Sequence, residues 1–170
     1  MQIAVTIDDL AFVAADAVAR PVNAELRAVT PVIRRLEQEA GDALIRQLQV
    51  VEPLDVGSAV VTPAGDVQAS LMIHAVVSTE TERVSRDGVR RATTSALQRA
   101  HDFGIAHLAM APFGLGAGNL DVDDAAQTMM AAIRAQADSH KAPAGITIIV
   151  ENDLELEAFR AAVERFRGER

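Results

Sequence analysis

The sequence contains no cysteine, no tryptophan and no tyrosine, and phenylalanine occurs only five times. Without cysteine, disulfide bonds and thiol chemistry are excluded, and cysteine usage gives no information about the compartment. No apolar run approaches the roughly 20 residues that a membrane-spanning helix requires. A flat ligand ring would therefore have to pack against phenylalanine or aliphatic side chains.

Positive charge is also scarce, since 16 lysines and arginines face 24 acidic residues and leave a net charge of −8. A nucleic-acid groove needs a positive field, so no nucleic-acid partner is expected. A small anion stays compatible, because backbone amides and a helix N-terminus can bind one. The first ten residues lack a basic region and carry Asp8 and Asp9, so we predict no signal peptide, no membrane contact and a cytoplasmic protein.

The 170 residues, 49% of them apolar, are expected to form one domain, 1–170. Apolar and alternating segments predict strands at 2–6, 16–22, 58–62, 71–77, 105–111 and 146–150. Pro21 is expected to end the second strand, because proline donates no ladder hydrogen bond. Helical periodicity predicts helices at 31–40, 42–50, 85–103, 121–137 and 153–166. Alternating strands and helices indicate an α/β fold, with a sheet covered on both faces.

The helix at 31–40 carries a signal at each end. Thr30 is placed as its N-cap, Pro31 as its first residue and Gly41 as its stop. Its apolar residues are expected to face the core, and its charged residues to face solvent, namely Arg34, Arg35, Glu37 and Glu39.

The stretch at 105–130 predicts a buried strand, a glycine-rich turn and a helix in succession. Gly114, Gly116 and Gly118 alternate through the turn, and Asp121 is placed to cap the following helix. Loop amides beside a helix N-terminus can hold an anion, so we expect a phosphate-binding loop at 112–120. The alternative is that the glycines only form a tight turn.

The four histidines are scattered and share no spacing typical of metal ligands, so no metal site is predicted. His74 and His107 lie in apolar strands and are expected to be buried core residues. His101 and His140 are expected to be exposed.

Four segments, in order along the chain, resemble segments of the macro domain family. They are IDDL at 7–10, DAVARPVNAEL at 16–26, VGSAVVTPAGDVQASLMIHAV at 56–76 and APFGLGAGNLDVDDAA at 111–126. The last is similar to the glycine-rich loop and following helix of the family. The sequence thus resembles a divergent macro domain, the module that binds ADP-ribose and includes Appr-1″-p processing members. The resemblance implies a three-layer α/β/α sandwich with a mixed central sheet.

The resemblance assigns ligand-binding positions as well. It implies that Asp9 accepts a hydrogen bond from the adenine amino group and that Asn23 contacts a ribose hydroxyl. The alternatives are that Asp9 only forms a turn after the first strand and that Asn23 only closes a turn. It adds the following residues of the two loops: Val32, Gly114, Gly116, Ala117, Gly118, Asn119 and Leu120. Two interpretations of Arg20 stay open: its side chain contacts a ligand phosphate, or it is a solvated arginine.

The sequence departs from the family pattern at two places. Arg20 replaces the first asparagine of the family segment, which is the one linked to hydrolysis. Val29, Thr30 and Pro31 replace a triple glycine, and Ile33 replaces the acid after it. Valine and threonine disfavour positive φ, and proline forbids it and removes an amide. We therefore expect the hydrolytic residues to be missing and only the second loop to persist.

These observations favour a protein that binds ADP-ribose or a related nucleotide, uses no cofactor and has little or no hydrolase activity. Two alternatives stay open. One is a hydrolase acting on ADP-ribosylated protein or O-acetyl-ADP-ribose, and the other is a fold that has lost its ligand and serves a structural or self-association role.

Overall fold

The computed structural model describes residues 1–168. It has a mixed sheet with strands β1 (Gln2–Ile7), β2 (Ala17–Asn23), β3 (Ala59–Pro63), β4 (Leu71–Ser78), β5 (His107–Met110) and β6 (Gly145–Val150). Its helices are α1 (Pro31–Ala40), α2 (Asp42–Gln47), α3 (Arg86–Asp102), α4 (Val122–Asp138) and α5 (Asp153–Gly168). No helix within residues 1–168 is long and apolar enough to cross a membrane.

The sheet order is β1-β6-β5-β2-β4-β3, with all neighbours parallel except the antiparallel edge pair β3 and β4. One face packs on α3, α4 and α5 around residues such as Ile73, Leu97 and Phe159. The other face packs on α1 and α2 around residues such as Val18 and Leu36. The expected three-layer α/β/α sandwich with a mixed sheet is confirmed.

The ends of α1 form as the sequence predicts. The Thr30 hydroxyl accepts a hydrogen bond from the amide of Ile33 at 3.4 Å, Pro31 begins the helix, and Gly41 ends it with φ of 91°. This capping fixes where the helix starts, which matters because its N-terminus borders the cleft described below.

The structure corrects three of the predicted boundaries, and the other bounds shift by at most two residues. Pro21 lies inside β2 and not at its end. Its missing amide would face β5, and the β2–β5 ladder already ends at Ala19, so no ladder bond is lost. The helix predicted at 42–50 ends at Gln47, because Leu48 leaves helical geometry as its C-cap. The strand predicted at 105–111 narrows to β5, since the Ile105 amide binds the carbonyl of Ala100 at the end of α3.

Parallel strands bring their carboxyl ends to one edge of the sheet. β1 and β6 run in register up to the pair Ile7 and Val150, so the residues after them, Asp8 and Glu151, emerge side by side. β5 lies next to β6, and its continuation is the glycine-rich segment. Ligands of open α/β sheets bind at this edge, and a cleft lies there.

Candidate functional site

A cleft of about 450 Å³ opens at the carboxyl ends of β1, β6 and β5, beneath the N-terminus of α1. One wall is the glycine-rich loop at 113–120, called loop B below. The opposite wall is the segment at 28–33, called loop A, which leads into α1. The two walls and the strand ends supply these lining residues: Asp8, Asp9, Leu10, Val29, Thr30, Pro31, Val32, Ile33, Arg35, Leu36, Ala111, Pro112, Leu115, Gly116, Ala117, Asn119, Ile149, Val150, Glu151 and Glu155.

Loop B is closed by its own hydrogen bonds. The amide of Leu120 donates to the carbonyl of Gly114 at 3.1 Å. The amide of Asn119 donates to the carbonyl of Gly116, also at 3.1 Å. The Asn119 side chain donates to the carbonyl of Leu115 at 3.3 Å. The loop is therefore shaped before any ligand arrives.

The amides at 115–118 have no hydrogen-bond acceptor among residues 1–168. Three of these residues, Leu115, Gly116 and Ala117, line the cleft. Successive unpaired amides at a concave surface are the usual donors to a bound phosphate, because they add fixed partial positive charge without a basic side chain. Loop B is therefore suited to bind an anion such as a phosphate through its backbone amides.

Gly116 faces Thr30 of loop A from loop B. Its φ is 134°, a conformation that residues with side chains rarely adopt. A Cβ atom there would lie 2.9 Å from Nδ2 of Asn119 and 3.5 Å from Cγ2 of Thr30. Glycine at this position thus keeps the cleft open between loops B and A.

Loop A contributes a helix N-terminus in place of flexible backbone. The amides of Thr30 and Val32 have no acceptor in the described chain, while Pro31 has no amide to offer. The positive end of the α1 dipole therefore faces the cleft, with fewer donors than a glycine loop would supply.

The floor of the cleft is acidic at the β1 and β6 ends. Asp9 uses Oδ1 to accept the Ala11 amide at 2.9 Å. Its Oδ2 accepts no hydrogen bond from residues 1–168 and is open to a ligand donor. Burial, followed by the neighbouring carboxylate of Glu155, raises the pKa of Glu151, and Arg35 at 3.8 Å opposes that rise. The cleft is thus polarised, with amide donors on one side and carboxylate acceptors on the other.

Five of the predicted ligand-binding residues line the cleft, namely Asp9, Val32, Gly116, Ala117 and Asn119. Three more shape loop B from outside the lining: Gly114, Gly118 and Leu120. Gly114 is close-packed, since an added Cβ would lie 2.7 Å from Val89.

Asn23 is placed in a turn and not on the cleft. Its Oδ1 accepts the amides of Glu25 at 3.1 Å and Arg27 at 3.0 Å, and its own backbone closes the same turn. The carboxamide oxygen is thus already engaged by the chain. A ribose contact from this side chain has no support in this arrangement.

Arg20 is neither a phosphate contact nor a solvated side chain, and both interpretations are corrected by its burial. The side chain is 0% exposed, and its guanidinium donates to His74 Nδ1 at 2.8 Å, to Glu37 Oε1 and to the carbonyl of Leu26 at 3.0 Å. Glu37, expected to face solvent, instead turns inward and also accepts the Ala28 amide at 2.7 Å. This pair joins β2 to α1 and holds the start of loop A in place.

His74 is a buried core histidine, as predicted. Because Nδ1 accepts from Arg20, Nε2 carries the proton and donates to the hydroxyl of Thr62 at 2.8 Å. Burial and, second, the neighbouring Arg20 charge lower the pKa of His74 to about 3. The ring is therefore neutral and serves the scaffold.

His107 is exposed, which corrects its expected burial. Its Nε2 pairs with the hydroxyl of Thr147 at 2.9 Å across β5 and β6. Residues 1–168 contain no group of three or more potential ligand side chains that could hold a metal ion. The aspartates after loop B behave as a cap, since Asp121 accepts the amide of Asp124 at 2.8 Å.

Sequence reasoning missed several residues of the cleft, chiefly Asp8, Arg35, Glu151 and Glu155. Two of them follow strands directly, and that position at the carboxyl edge was the available signal. This signal identifies a shared site only when β1 and β6 are known to be neighbours in the sheet. That pairing joins strands from opposite ends of the chain.

The Macro domain family model matches residues 19–129, and the chain therefore belongs to the macro domain family. An uncharacterized protein of Mycobacterium tuberculosis is 31% identical over 151 residues, which cover 88% of this chain and 41% of that protein. The chain thus spans about two fifths of the length of that relative.

Solved structures agree on the fold. The Oceanobacillus iheyensis macrodomain with ADP superposes with a TM-score of 0.86 at 12% identity, covering 98% of this chain and 92% of that one. A variant of the same macrodomain with ADPR gives a TM-score of 0.85 at 13% identity, with 96% and 92% covered. At such identities the likeness establishes the fold alone.

Proposed function

We propose that this chain binds ADP-ribose or a related nucleotide in the cleft, with its diphosphate against loop B. The observation that carries the proposal is the run of unpaired amides at 115–118, three of whose residues line the cleft. The N-terminus of α1 faces the same space and adds its dipole. The site binds an anion in this way despite the net charge of −8.

The carboxylate end of the cleft supports a nucleoside partner for that diphosphate. Asp9 has one oxygen open, and an ionised carboxylate only accepts hydrogen bonds, so it suits an exocyclic amine. Aliphatic residues of the lining, including Leu10, Val32 and Ile149, offer apolar contacts for a flat ring. An adenine placed here lies between the acids and this aliphatic wall.

The neighbours of known structure support the same ligand class. One was crystallised with ADP and a variant of it with ADPR, and both share this fold across nearly the whole chain. For the present chain, nucleotide binding is a proposal that rests on the cleft. The neighbours indicate that ADP and ADP-ribose are the first ligands to test.

We further propose that the cleft has little or no hydrolase activity. Loop A presents Val29, Pro31 and Ile33, none of which can accept a proton from water. The hydroxyl of Thr30 is engaged as the α1 cap, and Arg20 is sealed in the core. Incubation with O-acetyl-ADP-ribose or an ADP-ribosylated protein is expected to release no product above the buffer background, and clear turnover would contradict this.

Calorimetric titration with ADP-ribose tests the binding proposal. We expect a saturable heat with a stoichiometry of one and a rise in melting temperature, because a ligand that binds only the folded state stabilises it. Absence of both heat and thermal shift at millimolar ligand would overturn the proposal and favour a structural or self-association role.

A further inference from the structure

Hydrogen-bonding groups in the cleft are gathered at two places. Loop B offers the unpaired amides at 115–117, and the ends of β1 and β6 offer the carboxylates of Asp8, Asp9, Glu151 and Glu155. The amides suit phosphate oxygens, and the carboxylates suit amine or hydroxyl donors. These two sets together match a nucleoside joined to a diphosphate.

Three polar side chains of the lining remain, Thr30, Asn119 and Arg35, and each has one partner within the chain, while the Asn119 oxygen accepts no hydrogen bond from residues 1–168. The Thr30 hydroxyl accepts from Ile33, and the Asn119 carboxamide donates to the carbonyl of Leu115. Arg35, on the lip, is half-exposed and lies 3.8 Å from Glu151. The rest of loop A that faces the cleft is apolar, namely Val29, Pro31, Val32 and Ile33.

Two polar side chains of β2 could have extended the set of contacts, but both face elsewhere. Asn23 closes the turn that follows the strand, with its oxygen accepting two backbone amides. The guanidinium of Arg20 donates hydrogen bonds to Glu37, His74 and the carbonyl of Leu26, beneath loop A. Neither side chain lines the cleft, so β2 supplies no side-chain hydrogen-bonding group to a ligand bound there.

We infer that the cleft recognises the nucleoside diphosphate part of its ligand, and that neither β2 nor loop A makes a specific side-chain hydrogen bond to the group beyond the second phosphate. This inference rests on the proposed function and narrows it to a ligand class. The site binds ADP, and ADP carrying any terminal group that can extend past the apolar wall of loop A into solvent. The identity of that terminal sugar contributes little to affinity.

A competition series on the full chain tests this inference, using AMP, ADP, ADP-ribose and ADP-glucose under one buffer condition. ADP-ribose and ADP-glucose carry the same diphosphate charge and differ in the terminal sugar, so their comparison isolates recognition of that sugar. We expect dissociation constants for ADP, ADP-ribose and ADP-glucose within about threefold of one another, and AMP at least about tenfold weaker, because it lacks the second phosphate.

Asn23→Ala serves as an internal check, because the ratio of two dissociation constants within one variant is insensitive to a general loss of stability. We expect the ratio between ADP-ribose and ADP-glucose to stay unchanged in this variant. ADP-ribose binding about tenfold tighter than both ADP and ADP-glucose would overturn the inference while leaving the proposed function intact. Failure of all four nucleotides to bind at millimolar concentration would overturn both.

Discussion

A Cβ atom added to Gly116 would lie 3.5 Å from Cγ2 of Thr30, so any side chain at residue 116 would bring loop B into van der Waals contact with loop A. The width of the opening therefore depends on the absence of a side chain at residue 116. Two glycines of the same loop allow this to be tested with matched substitutions.

Gly116→Ala is expected to weaken ADP-ribose binding at least about tenfold, because the methyl group would lie 2.9 Å from Nδ2 of Asn119 and 3.5 Å from Cγ2 of Thr30 and would fill the space between the loops. Gly118→Ala is the control. Gly118 also has positive φ, 75°, but an added Cβ meets nothing within 4 Å. Titration calorimetry should show at most about a threefold change for the control. Equal losses in both variants would show that loop strain, and not the space at Gly116, governs binding.

Asp9→Ala is expected to weaken ADP-ribose binding about tenfold, since one ligand hydrogen bond to a carboxylate is lost. The variant should bind the deaminated analogue, in which hypoxanthine replaces adenine, about as well as the unaltered chain does. A comparison of both ligands on both proteins checks this. Equal weakening for the two ligands would mean that Asp9 does not contact the base amine.

Glu37→Ala is expected to lower the free energy of unfolding by about 3 kcal/mol, because it leaves the fully buried Arg20 without its counter-charge. Glu39→Ala, an exposed position on the same helix, should change stability by less than about 0.5 kcal/mol. Urea denaturation of the two variants measures the difference. A similar, small loss in both would contradict the assigned role of the Arg20–Glu37 pair.

The buried His74 predicts a pH dependence of stability. Its pKa is lowered from 6.5 to about 3 in the folded state, so the unfolded chain binds the proton first as the pH falls. Its contribution is complete above pH 6.5 and is lost progressively down to about pH 3. Between pH 7.5 and 4.5 this amounts to about 2–3 kcal/mol. His74→Gln should flatten the stability profile over this range relative to the unaltered chain, and an unchanged slope would contradict the prediction.

Much of the fold follows from local chemistry that is visible in the sequence. Thr30, Pro31 and Gly41 mark the bounds of α1, and Asp121 caps α4 where the sequence predicts a cap. The residues of each capping signal lie within one helical turn of each other. They can therefore be recognised in the sequence without knowledge of the tertiary structure. Loop B was predicted on the same basis, from glycines placed between a strand and a helix.

The features that the sequence did not reveal depend on long-range packing. Arg20 belongs to an apolar strand, and its burial becomes understandable only with Glu37 and His74, which lie 17 and 54 residues further along. The acidic floor of the cleft likewise depends on pairing β1 with β6, from opposite ends of the chain. The hydrophobic periodicity of the sequence indicates neither the partners of Arg20 nor the pairing of β1 with β6.

The most direct test of the account is a crystal structure of the chain soaked with ADP-ribose. We predict that the diphosphate lies against the amides at 115–117 with the adenine amine at Asp9, while the terminal ribose makes no hydrogen bond to Asn23 or Arg20. A diphosphate bound away from loop B, or a cleft that stays empty at millimolar ligand, would contradict the account.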